Sequence, residues 1–495
     1  MQATAKEFII ALDEGTTNAK AVVLDSRGKV IVKFSQPLAI QTPRDGWVEQ
    51  SGEALVTASL TVIASAVAHV GAENVAALAI SNQRETAIGW YRDSGEPITW
   101  QCTRSAAFCD TLRHDRQEQH IKRATGLPIA PLFSASKMRW LLDATVDGRL
   151  RAERGEICLG TIDSWLLWNL TGGKVHASDY SNCCRTMLFD IHRRCWDETL
   201  CQLLDVPMGW LPQPVENSGD LGTIASGVPH LQDLAGLPIR GAAGDQQAAL
   251  FGQGCFQAGQ LKNTYGTGCF TLMNTGETPV LSQNGLLTCK SSGLEGKTTY
   301  ILEGSVFNAG SSIQWLRDEL GIIRQASDCD RLAEQVPDNG GVYLVSAFTG
   351  LGAPHWDMYA RGTVVGLTRG TTRAHLCRAA LEGIAYQTAD LIAAMERDAG
   401  RPIQSLRVDG GASVSDFMMQ YQADLLGVPV ERPAVVETTA WGAACLAGLG
   451  AGLWHPQEIA REGAPGRAYA PKTDRSREYA RWQKALERAK AWEEA

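Results

Sequence analysis

The chain has 495 residues, enough for two sizeable domains, with 44% hydrophobic and 20% charged residues. Its formal net charge of −8 and its lack of a long basic run argue against a nucleic-acid surface. Thirteen cysteines without a CxxC pair read as reduced thiols of a cytoplasmic protein, and nine dispersed histidines without HExxH argue against structural zinc.

Met1 to Glu7 run straight into the apolar stretch Phe8 to Asp13, so no secretory signal is expected. Glu14 to Asn18 form a hydroxyl-rich turn, Lys20 to Asp25 a second strand and Val30 to Phe34 a third, which predicts a three-stranded meander. The first turn offers backbone N–H groups at Gly15 and Thr16, hydroxyls at Thr16 and Thr17, and a cation at Lys20. Such a loop suits phosphate oxygens, with Asp13 directed at a metal ion; the plainer reading is an ordinary glycine hairpin. Ala54 to Ala72 carry no formal charge, but Thr57, Thr61, Ser65 and His69 recur every fourth residue. That polar stripe predicts an amphipathic soluble helix, Ser51 to Val70, and no membrane span. A strand over Val75 to Ser81 then delivers Asn82, Gln83, Arg84, Glu85 and Thr86 at its carboxyl end, where polar functional groups of α/β proteins gather. Arg84 and Glu85 read either as donor and acceptor for a bound hydroxyl or as a surface ion pair. Lys137 opens an apolar-periodic helix, and Trp165 and Trp168 read as core anchors.

The stretch Gly241 to Gly252 is an apolar approach, one carboxylate, two amides and an Ala-rich run. Gly244 suits a tight turn, and Asp245 suits a helix N-cap. Alternatively, Asp245 is a carboxylate at a helix mouth placed to take a proton from a bound hydroxyl. After it, Asn263 to Phe270 repeat the opening pattern, with the turn Gly266, Thr267, Gly268 between strands. Gly310 enters a helix containing Gln314, and a strand ending in Asp409, Gly410 and Gly411 leads through Ser415 into another helix, an arrangement suited to ribose and phosphates. Gly350 to Asp357 form a rigid loop, and Tyr479, Trp482, Leu486 and Ala489 make one apolar stripe on a final helix docked on its own protein. No Walker loop or dinucleotide fingerprint competes with these loops.

Asp13-x-Gly-Thr-Thr17, Asn82 to Thr86, Gly244 to Gln247, Asn263 to Phe270, Phe348 to Pro354 and Val408 to Gly411 stand in order and in register. Together they resemble the FGGY carbohydrate kinases, from about residue 8 to the last helix. The resemblance implies an α/β fold of two actin-like ATPase (ribonuclease H-like) domains, divided as 1–250 and 251–495, with an interdomain active-site cleft. It implies transfer of the ATP γ-phosphoryl group, with Mg²⁺, to a small polyol. Glycerol is the expected acceptor, and a tetritol, pentitol or pentulose is the alternative. Asp245 would be the general base; Arg84, Glu85, Asp245 and Gln246 would bind hydroxyls, with Trp100, Leu132 and Phe270 along the carbon chain. Thr16, Thr17, Asn18 and Lys20 would meet phosphates, and Thr267, Gly310, Gln314, Gly411 and Ser415 the rest of the nucleotide. Asp13 and Asp245 would hold Mg²⁺, directly or through water. The transition state is largely dissociative, so positioning and charge neutralisation are expected to carry the catalysis.

Several positions depart from the family pattern. Glu14 stands where Gln is usual, Asn18 and Lys20 where Ser and Arg are usual, Ser415 for Asn and Thr103 for Arg. Leu132 replaces an acceptor-contacting Tyr and Ala130 an Asp, which leaves the acceptor open. Ile224 to Arg240 lack the Gly-Gly-Lys-Gly-Gly-Thr-Arg run, so control by fructose 1,6-bisphosphate is not expected. A homodimer or homotetramer is compatible with the sequence. The competing class is an actin-like ATPase whose nucleotide cycle drives protein binding. No segment suited to a peptide-binding domain follows Gly448, which disfavours it.

Overall fold

Phe8–Glu14 (β1), Asn18–Leu24 (β2) and Val30–Pro37 (β3) form the expected meander, β1 and β2 antiparallel and β2 and β3 likewise. The computed structural model of the chain describes residues 7–44, 47–92, 97–100, 104–114, 117–294, 297–435, 437–462 and 465–493. The helix Gly52–Val70 (α1) follows, with Ser51 as N-cap accepting from the Ala54 N–H at 3.2 Å. Its polar stripe behaves as expected: Thr57, Thr61 and His69 are exposed and Ser65 half-buried, while Leu55, Leu60, Val62 and Ile63 are buried. Each such buried side chain contributes about 1.5–3 kcal/mol. Among the described residues α1 is the one helix long and apolar enough to cross a membrane, but its apolar face lies on β1, β2 and β3 as a core helix does.

Val75–Asn82 (β4) joins β1 in parallel, and Ile239–Gly244 (β5) joins β4 in parallel, giving the order β5-β4-β1-β2-β3. β4 is buried along its whole length, as the apolar run Val75 to Ile80 requires of a strand covered on both faces. The helix Asp245–Gly252 (α2) follows β5 directly. A helix from far along the chain, Thr438–Gly450, packs against α2, β5, β4 and β1. Small residues permit that contact: a Cβ on Gly442 would lie 1.8 Å from the Ala248 carbonyl oxygen.

The second sheet contains Leu261–Tyr265 (β6), Cys269–Gly276 (β7), Leu287–Ser292 (β8), Thr298–Val306 (β9), Leu406–Asp409 (β10), Val430–Pro433 (β11) and Pro465–Tyr469 (β12). Its order is β8-β9-β7-β6-β10-β11-β12. Without the flanking β8 and β12, the chain-order strands β6, β7, β9, β10 and β11 repeat the 3-2-1-4-5 arrangement of the first sheet. β6 pairs antiparallel with β7 and parallel with β10, as β1 does with β2 and β4. Gly310–Asp318 (α3), the 27-residue Arg373–Ala399 (α4) and Asp416–Leu426 (α5) pack in this unit, with Leu381, Ile384, Leu391, Met418 and Met419 in its core. The last helix, Ser476–Ala489 (α6), docks as expected: Trp482 stacks on Tyr386 at 5.1 Å between ring centroids, and Leu486 and Ala489 are buried.

By packing, the chain forms two units that are not contiguous along it. One unit comprises Met1–Gly254, Thr288–Tyr300 and Glu437–Gly463; the other comprises Cys255–Leu287, Ile301–Val436 and Ala464–Ala495. The chain returns to the first unit because the apolar faces of α2 and β5 need the small-residue helix Thr438–Gly450 as cover.

Candidate active site

In the first unit, three neighbouring parallel strands end in register. Glu14 of β1 lies opposite Asn82 of β4, and Asn82 opposite Gly244 of β5. The residues that follow, Gln83 to Glu85 and Asp245, are therefore delivered to one edge of the sheet beside Asp13.

Arg84 links them. Its Nε lies 3.2 Å from Asp245 Oδ1 and 3.9 Å from Glu85 Oε1, and its Nη1 donates to Gln247 Oε1 at 3.1 Å. Gln246 Nε2 donates to Asp245 Oδ2 at 3.0 Å. The Asp245 side chain keeps 34% of its surface exposed, whereas that of Arg84 keeps 4%. The carboxylate is thus accessible while the guanidinium that orients it is buried. Asp245 is the first residue of α2; the N-cap position belongs to Gly244, with no side-chain cap bond, which corrects the capping reading. Gly244 has φ −59°, so the turn does not need glycine's freedom. Glycine is required there by room: a Cβ would lie 2.6 Å from Arg84 Cδ.

Asp13 faces Lys20 across the β1–β2 pair, with 3.7 Å between Lys20 Nζ and Asp13 Oδ2. Burial pushes the Asp13 carboxyl up to about 6, against the opposing effect of Lys20 and with the Asp245 charge adding to the rise. Burial opposes the Lys20 charge, but Asp13 and Glu437 outweigh it and hold the ammonium above the ordinary lysine value. Glu437 also binds Lys33 at 2.9 Å. Burial pushes the Glu14 carboxyl up to about 8, so at neutral pH it is mostly protonated. The protonated carboxyl has one hydroxyl donor and no charge, and Gln83 Nε2 donates to Glu14 Oε2 at 3.3 Å. Thr17 and Asn18 are exposed at the turn; Thr16 is half-buried, its carbonyl accepting from Gln50 Nε2 at 2.7 Å.

Leu132 is 51% exposed, next to the buried Phe133 that precedes the helix Ser134–Ala144. The backbone of Trp100 pairs with Ala87, two residues beyond Glu85. Thr103 lies outside the described residues, as does the Trp100 side chain.

The nucleotide candidates converge in the second unit. The turn Gly266–Gly268 meets the start of α3: Gly310 N–H donates to the Gly266 carbonyl at 3.0 Å, and the Ala309 and Ser311 N–H groups to the Thr267 carbonyl at 2.8 and 3.2 Å. A Cβ on Gly310 would lie 2.5 Å from the Gly266 oxygen. Thr267, Gln314 and Gly411 are exposed around this junction, and Phe270 on β7 is 37% exposed. Ser415 differs: its hydroxyl caps α5 by accepting from the Met418 N–H at 3.0 Å, and donates to Asp330. That hydroxyl is committed to the protein.

Among the described residues no group of three or more His, Cys, Asp or Glu side chains could hold a metal ion. The pair Asp13 and Asp245 nevertheless fits Mg²⁺, which takes one or two protein carboxylates and completes its shell with water and phosphate oxygens.

Gln83, Gln247 and Glu437 were not singled out by the sequence. Gln83 and Gln247 each lie inside a recognised motif without a role of their own, and Gln247 sits one turn along the helix from Gly244. Glu437 is 417 residues from its partner Lys20 and carries no local signal.

Two units of one strand topology, one presenting an oriented carboxylate and the other a glycine turn against a helix start, define an actin-like phosphotransferase fold. The N-terminal domain of the FGGY family of carbohydrate kinases matches residues 8–252, and the C-terminal domain residues 261–451. The chain belongs to the FGGY family of carbohydrate kinases. It is 49% identical to glycerol kinase 2 of Thermotoga maritima over 497 residues, covering 98% of this chain and 99% of that one. It is 50% identical to a glycerol kinase of Dechloromonas aromatica over 505 residues, covering both chains completely. The crystal structure of Plasmodium falciparum glycerol kinase with ADP superposes with a TM-score of 0.92 at 31% identity, covering 97% of this chain and 98% of that one.

Proposed function

We propose that this kinase transfers the γ-phosphoryl group of ATP to a terminal hydroxyl of glycerol, giving glycerol 3-phosphate and ADP. The observation that carries the reading is the Arg84–Glu85–Asp245 group. It sets a buried donor between two carboxylates, one of them accessible, as a small polyol with several hydroxyls requires. Similarity to glycerol kinases along the whole chain supports the same acceptor.

In this reading a glycerol hydroxyl forms a new bond to the γ-phosphorus as the bond to the ADP oxygen breaks. The hydroxyl proton passes to Asp245, whose other contacts, to Arg84 and Gln246, fix the direction of its free lone pairs. Glu85 accepts from a second hydroxyl, and Arg84 donates to one. Lys20 and the Thr16–Asn18 turn supply cation and donors for phosphate. The junction of Thr267 with Gly310, together with Gln314 and Gly411, supplies the nucleotide contacts in the second unit. Ser415 acts there through its backbone, since its hydroxyl is engaged. Mg²⁺, held by Asp13 and Asp245 directly or through water, would neutralise phosphate charge. The twelve free cysteines in the described residues support a reducing, cytoplasmic setting.

Asp245→Asn tests the base. It should lower kcat for glycerol by about two to four orders of magnitude, because proton transfer to a positioned side chain is worth that much. ATP binding, followed by fluorescence or calorimetry, should persist. Near-full turnover by the Asn variant would remove Asp245 from the chemistry.

A further inference from the structure

We infer that Arg185 is a positioning residue for the acceptor-binding carboxylate of Glu85. The inference rests on the reading of Glu85 as a hydroxyl ligand. Arg185 lies between the short helix Tyr180–Cys183 and the strand Phe189–Asp190, and is 2% exposed. Its Nε donates to Glu85 Oε1 at 2.5 Å, and its Nη1 lies 3.2 Å from Cys289 Sγ. Its guanidinium carbon sits 5.3 Å from the centroid of the Phe133 ring. Groups from three separate stretches of chain therefore fix the plane of this guanidinium.

The Glu85 oxygen that Arg185 holds is the one 3.9 Å from Arg84 Nε, and the same Arg84 nitrogen lies 3.2 Å from Asp245. Charge thus alternates along Arg185, Glu85, Arg84 and Asp245. A lone cation between two carboxylates is drawn to both. With Arg185 neutralising Glu85 from behind, Arg84 stays on Asp245 and the Glu85 carboxylate keeps one direction toward the acceptor. The Glu85 backbone is held in the same way. Its φ is 66°, in the left-handed region unusual for a side chain of this size, and its carbonyl accepts from Ser134 Oγ at 3.0 Å. Backbone strain of this kind persists where surrounding contacts over-determine the conformation; Ser134 holds the Glu85 backbone and Arg185 its carboxylate.

Removing one partner of a buried ion pair leaves an uncompensated charge, so Arg185→Met risks unfolding. Arg185→Lys keeps the charge but loses the planar fork that reaches Glu85 and Cys289 together. The test is steady-state kinetics with glycerol and ATP on the full chain for Arg185→Lys, Arg185→Met, Glu85→Gln and the Arg185→Met/Glu85→Gln double variant. Loss of a charged hydrogen bond predicts a glycerol KM raised roughly ten- to a hundred-fold in Arg185→Met, and less in Arg185→Lys, with the ATP KM within about twofold. In the Glu85→Gln background the same Arg185→Met change should add less than about twofold, because the pair it serves is already gone. If Arg185→Met does not fold, a raised glycerol KM in Arg185→Lys carries the inference alone. An unchanged glycerol KM in the Arg185 variants, with Glu85→Gln raising it, overturns the positioning role and leaves the acceptor assignment standing. An unchanged glycerol KM in Glu85→Gln overturns the acceptor assignment itself, and the inference with it.

Discussion

Leu132 stands half in solvent, between the half-buried Pro131 and the buried Phe133. A Tyr here would bring a hydroxyl that Leu lacks. One uncharged hydrogen bond is worth roughly 0.5–1.5 kcal/mol, about two- to tenfold in affinity. Leu132→Tyr should therefore keep or raise kcat/KM for glycerol. A fall for glycerol, read in the same coupled assay, would show that the leucine fits the acceptor as it is. The other departures divide by physics. At Glu14 burial raises the carboxyl to about 8, so the side chain carries little charge at neutral pH. Sequence alone cannot show that, since it turns on desolvation by neighbours distant in the chain. Lys20 keeps its positive charge beside Asp13 but lacks a guanidinium fork. Ser415 keeps the capping function of a small polar residue, and its commitment to Met418 and Asp330 was likewise invisible before the fold.

At the scale of elements, the loops stood out in the sequence because each breaks an apolar run with glycine and hydroxyl residues at a strand's carboxyl end. The meander, α1, β4 and the last helix follow from apolar periodicity, which is local. Strand order is not local: that β1, β4 and β5 lie side by side, and so bring Asp13, Arg84 and Asp245 to one edge, depends on pairings across more than 60 and more than 150 residues. The repeated 3-2-1-4-5 order gives the two glycine turns a common origin in topology that residue identity only hinted at. In the second unit the turn and α3 are held at hydrogen-bond distance, with no space for a methyl group at Gly310. Gly310→Ala forces them apart. Overpacking of this sort costs roughly 1–3 kcal/mol. If the junction holds nucleotide, the ATP KM should rise about fivefold or more, with a smaller change in the glycerol KM. Equal loss of melting temperature and activity, without a shift in ATP KM, would make the junction purely structural.

For the whole molecule, the return of Glu437–Gly463 to the first unit has a direct consequence. A fragment ending at Gly254 would expose the faces of α2 and β5 that Thr438–Gly450 covers, and would lose the Glu437 partner of Lys20. It should be largely unfolded or aggregated by circular dichroism and size exclusion; a cooperative melt of that fragment would contradict the assignment of units. On the proposed reading Arg84, Glu85, Asp245 and Gln246 would serve a small polyol, and Leu132 is the position at which a longer one would be told apart. The decisive measurement is ADP release by the full-length enzyme with ATP and Mg²⁺ across glycerol, erythritol, xylitol and xylulose. Glycerol should show the highest kcat/KM, with a phosphate monoester of glycerol as the product. Rapid turnover of xylulose or xylitol with none of glycerol would contradict it.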